Sequence, residues 1–128
     1  MPASVKSLLD EANKVVERVS PADARAMIEA GDAVVVDVRD GTEVEKTGKV
    51  PGALTISRGM IEFRADPDTP YHEPKLRKDK PVILYCASGG RSALAGKTLK
   101  DFGYEKVFNL GAFKDWSEAG MPVEPAKG

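Results

Sequence analysis

The sequence lacks several features that would point to particular classes of protein. It has a single cysteine, which excludes an intramolecular disulfide and is typical of a reducing compartment. Its 19 basic and 20 acidic residues leave a formal net charge of −1, so nothing in this balance suggests nucleic acid or a membrane surface as a partner. No apolar run approaches the length of a membrane span, and no internal repeat is present.

The N-terminal stretch gives no sign of export. Asp10 and Glu11 fall where a secretory signal peptide would need its apolar core, so we expect a cytoplasmic protein. With 128 residues, 41% hydrophobic and 30% charged, the chain is long enough for one globular domain with a real core. We predict a single domain over residues 1–128, with a helical extension at 1–14 and a tail at 123–128.

Helical and strand patterns alternate along the chain. Strands are predicted at 15–19, 33–37, 53–56, 82–85 and 106–110. Helices are predicted at 4–13, 20–31, 57–64, 92–103 and 111–119, with a helical turn near 42–45. A loop rich in Pro, Asp and Lys fills 65–80 and could border a site. Such alternation predicts an α/β domain with a mainly parallel sheet.

Apolar side chains indicate where the core should lie. The run at 33–36 is continuous and mostly β-branched, which is typical of a strand buried on both faces. One side of the first predicted helix carries Val5, Leu8, Leu9 and Ala12. The expected core contacts of the later helices are Ile61, Phe63, Phe113 and Trp116.

The only cysteine lies at the mouth of a short loop of small residues. The apolar run from Val82 to Tyr85 leads into this loop, which extends from Cys86 to Arg91, and a helical pattern begins at Ser92. A strand, a small loop and a helix in this order direct backbone N–H groups and the positive end of the helix into the loop. Such surroundings favour the thiolate, which is the nucleophilic form of cysteine.

Further residues make the loop a candidate anion cradle. Gly89 and Gly90 let the backbone curl and turn its amides inward, and Arg91 supplies a permanent cation at the rim. A nucleophilic sulfur in such a cradle suggests attack on an anionic substrate, although a buried structural cysteine before an ordinary turn would have the same pattern. Asp37 and Cys86 each end a strand, at the edge where parallel sheets bind ligands.

Three stretches, in this order, resemble a rhodanese domain, the sulfurtransferase module. They are Asp37-Val-Arg39 with Glu43 and the segment 48–53, the loop segment 86–92, and the segment 109–122. The resemblance implies a rhodanese-like fold with a central five-stranded, mainly parallel sheet and helices on both faces. The chain departs from the family in three places: Lys49 replaces a usual histidine, Ala112 replaces a frequent glycine, and one extra residue precedes Gly48.

The length of the loop bears on the substrate. Rhodanese-like sulfurtransferases hold their cysteine in a six-residue loop, and the loop here has six residues from Cys86 to Arg91. Related phosphatases have five residues between cysteine and arginine, which widens the cradle for phosphate or arsenate. The shorter loop favours sulfane sulfur. A phosphatase or arsenate reductase is the disfavoured alternative, and a third possibility is a module that carries or senses sulfur, or docks a partner, with little turnover.

The resemblance implies a two-step covalent reaction. Cys86 would take sulfur from thiosulfate or a similar small-molecule donor as a persulfide, and an external thiol, a protein acceptor or cyanide would remove it. We predict Cys86 and Arg91 as catalytic residues and expect no cofactor and no metal. The loop residues expected to bind the substrate through their amides are Ala87, Ser88, Gly89, Gly90 and Ser92.

Other polar residues have a structural role as their alternative. Asp37 could hold the cysteine loop or Arg91 in place, or simply cap the end of its strand. Arg39 is expected to make a structural ion pair, with Glu43 as the candidate partner. The remaining candidates could equally be ordinary surface residues: Arg58, Arg64 and Lys97 as positive charges near the mouth, and His72 as a lid or proton carrier.

Overall fold

The computed structural model describes residues 2–126. The helices α1–α6 span Val5–Val15, Pro21–Glu29, Gly41–Thr47, Ile61–Ala65, Gly90–Asp101 and Phe113–Glu118. The strands β1–β5 span Glu17–Arg18, Val34–Asp37, Leu54–Thr55, Val82–Cys86 and Val107–Ala112, and a 3₁₀ turn covers Arg58–Met60. Residue 1 of the predicted extension and residues 127–128 of the predicted tail lie outside the described residues.

The five strands form one parallel sheet in the order β1-β5-β4-β2-β3. Every residue of β4 is buried, and only the first residue of β2 is partly exposed, as the apolar runs predict for central strands. In register, Asp37 of β2 lies beside Tyr85 of β4, and Cys86 lies beside Ala112 of β5. The carboxyl ends of three neighbouring strands therefore meet at Cys86.

The sheet separates two apolar cores. Side chains of α1, α4 and α5 pack with Val36, Leu84 and Cys86 on one face. Side chains of α2 and α6 pack with Val35 and Tyr85 on the other. Successive residues of a strand point to opposite faces, and this alternation assigns each side chain to its core. The predicted five-stranded parallel sheet with helices on both faces is confirmed.

One expectation about helix packing is wrong, and one apolar helix side is only partly covered. Phe63 is 48% exposed, because α4 is only five residues long and turns Ile61 and Ala65 toward the core, which leaves Phe63 on the outer side. On α1, Ala12 is buried, whereas Val5 is 70% and Leu8 41% exposed. The apolar side of α1 is thus only partly covered by α5.

Several boundaries differ from the predicted ones. Helix α5 begins at Gly90 and not at Ser92, because the turn is completed at Gly89. The predicted turn near 42–45 is the longer helix α3. Strand β5 continues through Ala112, so α6 begins two residues later than expected. Among the described residues, no helix has both the length and the apolar character that crossing a membrane would require.

Candidate active site

The Cys86 thiol lies inside a ring of hydrogen-bond donors. The Gly89 amide donates to Cys86 Sγ at 3.0 Å, and Ser92 Oγ lies 3.4 Å from the sulfur. Burial alone would raise the pKa of the thiol, but hydrogen bonding with the Ser92 side chain and with the backbone of Ser92, Ser88 and Gly89 outweighs it, so the pKa is lowered. The loop amides therefore turn toward the sulfur and favour a thiolate.

The cradle depends on the backbone at Gly89. This residue precedes the first turn of α5 with a φ of 99°, a conformation that side-chain-bearing residues rarely adopt. A Cβ atom there would lie 3.3 Å from the Gly111 Cα atom of β5. The loop thus packs directly on the neighbouring strand, and the N-terminus of a twelve-residue helix faces the sulfur.

The buried amide side chain of Asn109 fixes the cysteine loop by hydrogen bonds. Asn109 is 1% exposed, and its Nδ2 donates to the Gly89 carbonyl at 3.2 Å. Its Oδ1 accepts hydrogen bonds from Ser92 Oγ at 2.7 Å and from the Gly111 amide at 2.9 Å. The sequence patterns above give this residue no role, although a polar residue within an otherwise apolar strand is a signal of one.

Arg91 is engaged by a carboxylate. Its two terminal nitrogens donate to the two oxygens of Glu43, at 2.7 and 2.9 Å, which joins the first turn of α5 to α3. Hydrogen bonding to Arg91 lowers the pKa of Glu43 to about 2. The same pair raises the pKa of Arg91 above its ordinary value. This paired guanidinium braces the rim of the loop.

Asp37 and Arg39 form a separate buried pair. Arg39 Nη2 donates to Asp37 Oδ2 at 2.7 Å, and the side chains are 3% and 0% exposed. Arg39 thus makes the structural ion pair expected of it, but its partner is Asp37 and not the candidate Glu43, and the alternative in which Asp37 holds Arg91 is wrong, because Glu43 binds Arg91. Arg39 also lies 4.6 Å from the centre of the Phe113 ring, so this pair supports the end of β2 against α6.

The sulfur itself is covered. Cys86 is 0% exposed, whereas Ala87 and Ser88, the next two residues, are exposed. A cavity of about 370 Å³ borders the loop at Ala87 and is lined by Arg39, Thr47, Ala87, Phe113, Lys114, Ser117 and Val123. A larger cavity, of about 490 Å³, lies at the opposite edge of the sheet near Val34 and Lys80. Only the smaller cavity adjoins the cysteine loop.

The remaining candidates make contacts elsewhere. Arg58 binds Glu62 and Thr98, Arg64 binds Glu73, and Lys97 binds Asp101. His72 lies half-buried in the segment between α4 and β4. Within residues 2–126, none of these four side chains has a hydrogen bond to the cysteine loop.

A cysteine that ends a central parallel strand, with amides and a helix N-terminus turned onto its sulfur, defines the class: an α/β protein with a nucleophilic cysteine loop. The rhodanese-like domain model matches residues 20–119, so the chain belongs to the rhodanese-like domain family.

Relatives agree with this assignment. A sulfurtransferase of Allochromatium vinosum is 30% identical over 82% of this chain and 91% of its own length. The thiosulfate sulfurtransferase GlpE of Actinobacillus succinogenes is 31% identical over 86% of this chain and 92% of its own. A solved structure from Rhodopseudomonas palustris, described as a protein of unknown function and possible tyrosine phosphatase, is 45% identical with a TM-score of 0.90, covering 97% and 96% of the two chains.

Proposed function

We propose that this protein is a sulfurtransferase that carries sulfane sulfur as a persulfide on Cys86. The observation that supports it best is the ring of donors on the thiol, because the hydrogen bonds of Gly89 and Ser92 hold the sulfur in its nucleophilic form despite burial. The sulfurtransferase relatives, which match this chain over most of their length, support the same reaction class.

In the first step, the Cys86 thiolate attacks the outer sulfur of thiosulfate or a similar donor. A new sulfur–sulfur bond forms, the donor's own sulfur–sulfur bond breaks, and its electron pair leaves with sulfite. The terminal sulfur of the persulfide then carries the negative charge. Amides of Ala87, Ser88, Gly89, Gly90 and Ser92 stabilise this charge, as the fixed donors of an oxyanion hole do.

In the second step, an external thiolate or cyanide attacks the terminal sulfur and regenerates the Cys86 thiolate. The acceptor must come from outside because the chain has no second cysteine. A nucleophile that must stay reduced suits the cytoplasm. The acceptor is a small thiol or a thiol on another protein.

Access to the sulfur requires movement of the loop. Cys86 is fully covered, and the next two residues of the loop, Ala87 and Ser88, are exposed. The cavity beside Ala87 gives this segment room to move aside. The same cover favours a second candidate function, a carrier that receives sulfur and releases it to one partner with slow turnover. A stable persulfide that only one protein partner discharges would identify this carrier.

Arg91 acts in this proposal by bracing the loop. Both of its terminal nitrogens bind Glu43, so Arg91 fixes the rim of the loop through this ion pair. Asp37 and Arg39 support the floor of the site through their buried pair. The six-residue loop argues against phosphate as the substrate, notwithstanding the phosphatase suggestion attached to the Rhodopseudomonas palustris structure.

The decisive experiment is mass spectrometry of the intact protein after treatment with thiosulfate. We expect the mass of one sulfur atom to be added to the wild type and none to Cys86→Ser. Steady-state thiosulfate:cyanide assays on the same two proteins then measure turnover. A wild type that gains no sulfur, or a phosphate-ester hydrolysis that disappears in Cys86→Ser, would contradict the proposal.

A further inference from the structure

Arg18 lies on the same face of the sheet as the reactive sulfur. It is the last residue of β1 and lies in register with Asn109 of β5. Paired residues of neighbouring strands point to the same face, so the Arg18 side chain shares the face on which Asn109 binds the Gly89 carbonyl. Cys86 belongs to the core on that face too. The sequence analysis gave Arg18 no role.

The guanidinium of Arg18 lies against the backbone that supports the cysteine loop. A Cβ atom on Gly111 would lie 2.5 Å from Arg18 Nη2, and a Cβ atom on Gly89 would lie 3.3 Å from Gly111 Cα. The Arg18 guanidinium therefore lies against Gly111, and Gly111 lies against Gly89 of the loop. Gly111 alone separates the guanidinium from the loop.

The charge of Arg18 is available to a ligand. The two arginines that the sequence placed at the site are both paired, Arg91 with Glu43 and Arg39 with Asp37. Arg18 is exposed, and across the part of the chain that the structure describes its side chain has no hydrogen bond or ion pair. Its planar donor fork is thus free to bind a group with several anionic oxygens.

We propose that Arg18 binds the anionic end of the sulfur donor as it approaches Cys86. This inference rests on the proposed function and assigns the role of substrate cation to Arg18, since Arg91 is already paired. The donor class it selects is a sulfane-sulfur compound with an oxyanion or carboxylate next to the transferred sulfur. A free cation one residue away from the loop increases the local concentration of such anions and their rate of encounter.

The test compares two alkylating reagents of similar size, anionic iodoacetate and neutral iodoacetamide, in their rates of reaction with Cys86. The variants are Arg18→Met, Arg18→Lys and, as a matched control, Arg77→Met, which removes an exposed arginine at the opposite edge of the sheet. We expect Arg18→Met to lower the ratio of the iodoacetate rate to the iodoacetamide rate about threefold to tenfold. Arg18→Lys should restore part of it, Arg77→Met should keep it, and added salt should reduce it in the wild type.

The results distinguish an electrostatic role of Arg18 from a purely structural one. If Arg18→Met slows both reagents equally, Arg18 only shapes the loop and the inference is overturned. It is also overturned if the ratio is unchanged, or if neither reagent reaches Cys86 in the native protein. If the ratio falls as expected while thiosulfate adds no sulfur to Cys86, Arg18 remains an anion-binding residue and the proposed function fails instead.

Discussion

Asn109 and Ser92 are joined by a buried hydrogen bond of 2.7 Å that connects β5 to the first turn of α5. The Ser92 hydroxyl also lies 3.4 Å from Cys86 Sγ, so this bond places a strand side chain one contact away from the reactive sulfur. The same amide fixes the Gly89 carbonyl. The cradle is therefore held by β5 as well as by its own backbone.

Replacing Asn109 by alanine should loosen the cradle. The Gly111 amide would lose its buried acceptor, whereas the Gly89 carbonyl would keep the Ala93 amide as a donor, and we expect a cost of about 1–3 kcal/mol of unfolding free energy. The pKa of Cys86 should rise, because Gly89 and Ser92 would no longer be held against the sulfur. Urea unfolding measures the stability, and ultraviolet absorbance of the thiolate measures the titration of the single cysteine.

Asn13→Ala is the control for this substitution, since Asn13 is exposed on α1. We expect Asn13→Ala to lower neither the stability nor the thiolate fraction of Cys86. A double-mutant cycle of Asn109→Ala with Ser92→Ala should show coupling, because the two side chains share a hydrogen bond. Additive effects on the Cys86 titration would contradict the role given to Asn109.

The ion pair of Glu43 with Arg91 should make stability depend on acid pH. The pKa of Glu43 is lowered to about 2 from an ordinary 4.5, so its contribution is complete above pH 4.5 and is lost as the pH falls toward 2. Both side chains are about a third exposed, so solvent screening limits this contribution to about 0.5–1 kcal/mol. Glu43→Gln should be less stable than wild type by this amount at pH 7.

Urea unfolding of the two proteins at several pH values measures this difference. The gap should narrow below pH 4.5 and close as the pH approaches 2, where the wild-type carboxylate becomes protonated. The pair of Lys6 with Asp10 on exposed α1 offers a comparison, and Asp10→Asn should change stability less than Glu43→Gln. A gap between wild type and Glu43→Gln that stayed constant from pH 7 to pH 2 would show that the ion pair does not stabilise the fold.

Gly89→Ala should damage the loop through the backbone alone. The φ of 99° and the 3.3 Å approach to Gly111 leave no comfortable place for a methyl group, and we expect a loss of about 1–2 kcal/mol. Persulfide formation should slow markedly, since the amide that binds Cys86 Sγ would move. Gly59→Ala is the matched control, because nothing lies within 4 Å of its Cβ position and its φ is ordinary. Equal behaviour of the two variants in unfolding and sulfur uptake would refute this explanation.

The sequence predicted the parts of the site that are local. Strand, small loop and helix follow one another directly, so the cradle of Cys86 could be anticipated from residues 82–95 alone. The boundary error at Gly90 came from treating the glycines as loop, whereas only Gly89 has the positive φ. Element order likewise sufficed for the parallel sheet.

The sequence could not predict which side chains pair between different helices and strands. Arg39 and Glu43 are four positions apart, which suggests a pair, but the docking of α3 beside α5 gives Glu43 to Arg91 instead. Asn109 and Arg18 reach the loop only because β5 lies between β1 and β4 in the sheet order, and local sequence patterns do not reveal strand order. Phe63 was misplaced because the helix that carries it proved too short to bury two sides.

The two cores divided by the sheet have a consequence for chemical damage. Cys86 lies among side chains covered by α1, α4 and α5, and none of its core neighbours belongs to α2 or α6. Peroxide attack on this thiol therefore records opening of the cysteine loop or lifting of that one helical layer from the sheet.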